Sequence, residues 1–92
     1  MRKAEIAIPQ APTIVQDDGS GEHQYAIIAV GVQGKRTAVS GTTKARGFAK
    51  LRWDSVNGAD AYIVVRDGKE ITIPLRIEGS NKEWTDKAPK KQ

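Results

Sequence analysis

Residues 51–71, LRWDSVNGADAYIVVRDGKEI, set a tryptophan and a tyrosine among scattered charges, with an Asn-Gly and an Asp-Gly pair as punctuation. The stretch reads either as an aromatic platform for a ligand or as sandwich strands joined by turns. Alternation decides between them. In an extended chain Leu51 and Trp53 share one side, and Tyr62 and Val64 share a side opposite Ala61, Ile63 and Val65. A large ring in register with leucine belongs in a core, where aromatics contribute most of the buried area. Trp53 is therefore expected to be structural, packed with Tyr62 and Val64 of a neighbouring strand.

Working outward, turn signals recur at 17–21 (DDGSG), 33–35 (QGK), 45–47 (ARG), 57–60 (NGAD), 67–69 (DGK) and 78–81 (EGSN). The intervals of roughly eight to twelve residues between turns, rich in β-branched and aromatic residues, predict an all-β sandwich or barrel. Asp67-Gly68 suits a tight hairpin, and Asn57-Gly58 is expected to make another between Trp53 and Tyr62. In 23-HQYAIIAV-30, His23, Tyr25, Ile27 and Ala29 alternate with Gln24, Ala26, Ile28 and Val30. Strands apolar on both faces are predicted to be central or to meet a partner. Pro9 and Pro12 lack amide donors, which predicts an extended first segment along an edge.

The totals limit the function classes. Ninety-two residues are expected to form one domain spanning 1–92, with 1–11 and 87–92 as extended or frayed ends. The absence of cysteine excludes disulfides and thiolate chemistry. No apolar run approaches 18 residues, so membrane insertion is not expected. Glu5 interrupts the apolar segment a signal peptide would need. A net charge of +4, spread along the chain, is too mild for a dedicated nucleic-acid binder.

The tryptophan strand, the V-x-G-A turn, the strand 62-YIVVR-66 and the later 84-WTD-86 resemble the fibronectin type III family as bacteria and phages use it. The segment 25-YAIIAVGVQGKRTAVS-40 resembles the other half of that module. The resemblance implies an immunoglobulin-like β-sandwich of about seven strands. The tryptophan block follows the Ala-Val block here, against the usual order, which implies a circular permutation. His23 stands where the family carries a loop-pinning tyrosine, so that anchor is expected to be lost.

Candidate chemistry is sparse. His23 is the only histidine, and Ser20 and Glu22 beside it do not amount to a triad, so no catalytic residue is assigned. Asp54, Asn57 and Asp60 read as turn chemistry rather than a calcium loop, as do Asp17 and Asp18. No cofactor or metal is expected. Lys44, Arg46, Lys50 and Arg52 recur at period two around Gly47 and form a candidate basic ribbon for a polyanion. Ile28, Val30, Ile63 and Val65 are expected to meet on one outer sheet face as an exposed apolar patch. The resemblance places Trp84 at the core margin, while its position after the polar loop 78–82 also makes it a contact candidate.

These features predict a non-enzymatic structural or adhesive module that binds protein, either its own copies or a larger assembly. A short chain beginning at Met1 with no signal peptide suggests a small phage virion component decorating a capsid or tail, at a virion surface or extracellular. The alternatives are a carbohydrate-binding module using Trp84 or Tyr62 beside Asn81, and a weak polyanion or nucleic-acid binder using the basic ribbon.

Overall fold

The computed structural model describes residues 6–87. Of the expected frayed ends, 1–5 and 88–92 lie outside the described residues; 6–11 and Lys87 belong to no strand. Seven strands form: β1 (Thr13–Asp17), β2 (His23–Gly31), β3 (Thr43–Ala45), β4 (Ala49–Asp54), β5 (Ala59–Arg66), β6 (Lys69–Glu70) and β7 (Asn81–Thr85). The only helical turn among the described residues is a short 3-10 piece, Val32–Gly34. The strands make a three-stranded sheet, β1-β4-β7, and a four-stranded sheet, β3-β2-β5-β6. Every pairing is antiparallel. The chain is a small all-β sandwich.

Between the sheets lies a core built from the alternation read in the sequence. Tyr25, Ile27 and Ala29 of β2 and Tyr62 and Val64 of β5 face Ala49, Leu51 and Trp53 of β4. Trp53 meets the Tyr62 ring edge-on at 5.7 Å, a favoured aromatic arrangement. The contact runs across the sandwich, because β4 and β5 belong to different sheets. Trp53 Nε1 is buried with no hydrogen-bond partner among the described residues, so the ring contributes packing alone.

The same partition corrects the reading of Asn57-Gly58. Those residues do turn, with Gly58 at φ +87°, but they carry the chain from one sheet to the other and do not close a hairpin. Tyr62 explains the crossover: its hydroxyl accepts a hydrogen bond from the Val56 amide at 2.6 Å and fixes the loop over the core. Asp67-Gly68 does form the tight hairpin. Both residues have positive φ, 54° and 84°, and Arg66 pairs directly with Lys69.

A tyrosine hydroxyl links the two sheets through the core. The Tyr25 hydroxyl donates to Asp86 Oδ2 at 2.6 Å and accepts from the Ala49 amide at 3.2 Å. Tyr25 lies in the four-stranded sheet, while Ala49 starts β4 and Asp86 follows β7 in the other. Tyr25 thus ties the start of β4 and the residue after β7 to the opposite sheet. His23, two residues earlier, packs on Phe48 at 4.8 Å and bonds Asp67 at 2.6 Å.

Candidate interaction surface

Strands β2 and β5 form the spine of the four-stranded sheet, with Ile28 opposite Ile63, Ala26 opposite Val65 and Val30 opposite Ala61. Because facing residues share a side, these six make a continuous apolar layer on the face away from the core. The four predicted contact residues are thus brought together. They are not bare, however. Ile63 is 1% exposed, Val30 6%, and Ile28 and Val65 8% each, so the expectation of an open patch is corrected.

The covering begins at the flanks. The segment after the 3-10 turn runs back along β2, with Thr37 N–H donating to Ala29 and Ser40 N–H to Ile27. Beyond β6, Ile71 N–H donates to Val64, and Leu75 exchanges two bonds with Tyr62. Both spine strands are therefore bonded on each side along much of their length, which protects their edges. Val39 and Thr42 on one flank and Gly68 and Glu70 on the other frame a groove of about 210 Å³ floored by Ala26, Ile28 and Val65. Val39, half exposed, stands at its rim.

The basic ribbon divides between opposite sides of the molecule. Lys44 pairs with Gln24 and so projects from the outer face of the four-stranded sheet. Lys50 and Arg52 project from the outer face of the three-stranded sheet, away from Leu51 and Trp53. There both meet Glu83 of β7: Arg52 donates to Oε2 at 2.7 and 2.9 Å, and Lys50 approaches Oε1 at 3.4 Å. The two cations hold the Glu83 carboxyl below the usual range, with the Arg52 hydrogen bond the largest cause. Arg46 sits in the bend between sheets, its amide donating to Asp17. A single basic stripe does not form.

Trp84 pairs with Leu51 and faces inward, half-buried against the core. Tyr62 is 2% exposed. Asn81, the polar neighbour expected beside a sugar-stacking ring, pairs with Asp54 on the outer side. Lys82, also inward, is buried with its ammonium over the Tyr62 ring and donating to the Ile77 and Gly79 carbonyls. A lysine in that place serves the 77–79 turn, a role its charge conceals in the sequence.

Around His23 a polar cluster closes one end of the sandwich. Asp67 receives His23 Nδ1 and the Gln24 amide, and these bonds, His23 first, lower its pKa. Next to it Arg66 donates to Asp86 at 2.6 Å and lies over the Phe48 ring at 5.0 Å. Burial, reinforced by Asp86, pushes the Tyr25 phenol well above its ordinary value. No serine or threonine hydroxyl bonds His23 among the described residues, and the cluster joins the ends of β2, β5 and β7. Asp18 does similar work at 17–21, accepting from Ser20 and from the Phe48 amide. That bridge brings the chain so close to Gly47, at φ +144°, that a side chain there would collide with Asp18 and the Ser20 amide. Asp60 pairs with Arg76 at 3.1 Å.

No family model, curated protein or solved structure matches this chain.

Proposed function

We propose that this chain is a non-enzymatic protein-interaction module that docks through the outer face of its four-stranded sheet. One observation carries the reading: β2 and β5 are apolar on both faces, and the second apolar layer lies outside the sandwich core. A sandwich needs only its inner faces to be apolar. Six aliphatic side chains on an outer face, beside a groove with an exposed valine at its rim, suit a surface that meets another protein. The three-plus-four division of strands is compatible with a fibronectin type III-like module of permuted order. On that resemblance, the host is a multi-copy assembly such as a phage capsid or tail surface.

The test uses the groove rim, where substitution spares the core. Val39→Glu and Thr42→Glu place charge at the groove mouth. Both variants are expected to keep the wild-type melting temperature within a few degrees and to be lost from the native complex, read as the mass of the assembly purified from its source. Full incorporation of the folded variants would exclude this face and leave the edges of the three-stranded sheet for examination.

A further inference from the structure

The apolar outer face carries a strap. Arg36 bridges to Val30 on the far flank of β2, and Glu70 pairs with Val65 on the far flank of β5. Cross-strand partners project to the same side, so both charged side chains rise from the face that holds the apolar layer. Their ends meet at 2.6 Å. Their anchor points lie three strand spacings apart across the sheet, roughly 14 Å, and Val30 and Ala26 set them roughly 13 Å apart along it, so a flat sheet would hold them roughly 19 Å apart. The ends can meet only with both side chains extended toward each other across a twisted sheet. The line between them runs diagonally from the Val30 row to the Val65 row and crosses over Ile28 and Ile63. Ile63, beneath that line, is 1% exposed although it lies on an outer face.

The strap is weakly held. Each partner is about half exposed, at 50% and 44%, and solvent screening leaves exposed pairs of this kind with little net contribution to stability. We propose that the face docks onto a second copy of this chain by exchanging the pair, so that each Arg36 leaves its own Glu70 for the partner's Glu70. This rests on the reading of that face as the docking surface. The charge pattern is self-complementary: Arg36 and Glu70 stand at opposite corners, and a two-fold axis lying in the face, perpendicular to their diagonal, places each arginine over the other copy's glutamate. An isologous contact requires that relationship. Two ion pairs within chains become two between chains, so the electrostatic balance is nearly neutral and the gain comes from apolar surface the straps had covered. A face four strands wide and six residues long spans roughly 400 Å². Stable interfaces need about 800 Å² per partner. The contact is therefore weak alone and effective where an assembly holds many copies close together.

Charge reversal tests the exchange. Arg36→Glu leaves two acidic corners and Glu70→Arg two basic ones, so neither variant can form the strap or pair with itself. By sedimentation at concentrations up to about 1 mM, each variant alone is expected to stay monomeric, with a wild-type near-ultraviolet spectrum. Their equimolar mixture is expected to associate, a few-fold to about tenfold more tightly than the wild type, because no strap competes. A mixture that stays monomeric overturns the self-docking proposal, as does association of either variant alone. The module reading is judged separately by the mass of the native complex.

Discussion

The Tyr25 hydroxyl and the Asp86 carboxylate meet at 2.6 Å across the two sheets, and the same hydroxyl takes the Ala49 amide. A buried oxygen that satisfies a carboxylate and a backbone donor at once cannot be removed cheaply. Tyr25→Phe keeps the ring in the core and strands the Ala49 amide. Leaving one such group unsatisfied costs about 1–3 kcal/mol. Urea unfolding should show a lower midpoint with an unchanged slope. Arg66, which shares Asp86, prevents the carboxylate from being left unpaired.

The same cluster sets two limits on stability with pH. The Tyr25 phenol is raised above 10.0, so its contribution is complete below the unfolded value and declines as pH rises beyond it. Asp67 is lowered below 3.8, so its contribution is present above the unfolded carboxyl value and is lost as pH falls through the folded one. Urea midpoints measured across the pH range should fall at both ends. Tyr25→Phe should flatten the alkaline limb, and Asp67→Asn should soften the acid limb. Unchanged limbs in both variants would remove these residues from the account.

For polyanions, Glu83 is the controlling residue, since it neutralises Lys50 and Arg52. Wild-type binding to DNA or RNA should be weak and non-specific at physiological salt. Glu83→Gln should strengthen it, with a steeper fall as salt rises, because more cations then release counterions from the phosphates. Fluorescence anisotropy across a salt series reads both quantities. Tight, sequence-selective binding by the wild type would contradict the interaction reading and restore the basic residues as the functional site.

The parts of this fold that could be read from the sequence are those governed by period two. Which of Tyr62, Ile63, Val64 and Val65 face inward follows from alternation, and Asp67-Gly68 announces its turn by demanding positive φ. The fate of Asn57-Gly58 was not legible: the same dipeptide suits a hairpin or a crossover, and the choice depends on Tyr62 holding the Val56 amide. Lys82 and Glu83 look alike as surface charges, yet one is drawn inward by two carbonyls and the other gathers two cations from β4. Long-range pairing decides both. The apolar outer face was visible as a pattern, while its closure was not, because Arg36 and Glu70 are 34 residues apart and meet only once four strands are assembled.

The outer face as docking surface is tested most directly by methyl and amide NMR of the folded chain as its concentration rises from micromolar to millimolar. Progressive shifts are expected at Ile28, Val39, Ile63 and Val65 and at the Arg36 and Glu70 side chains, with Lys50, Arg52 and Glu83 on the opposite sheet unmoved. Shifts confined to the three-stranded sheet or to its edge strands would contradict it.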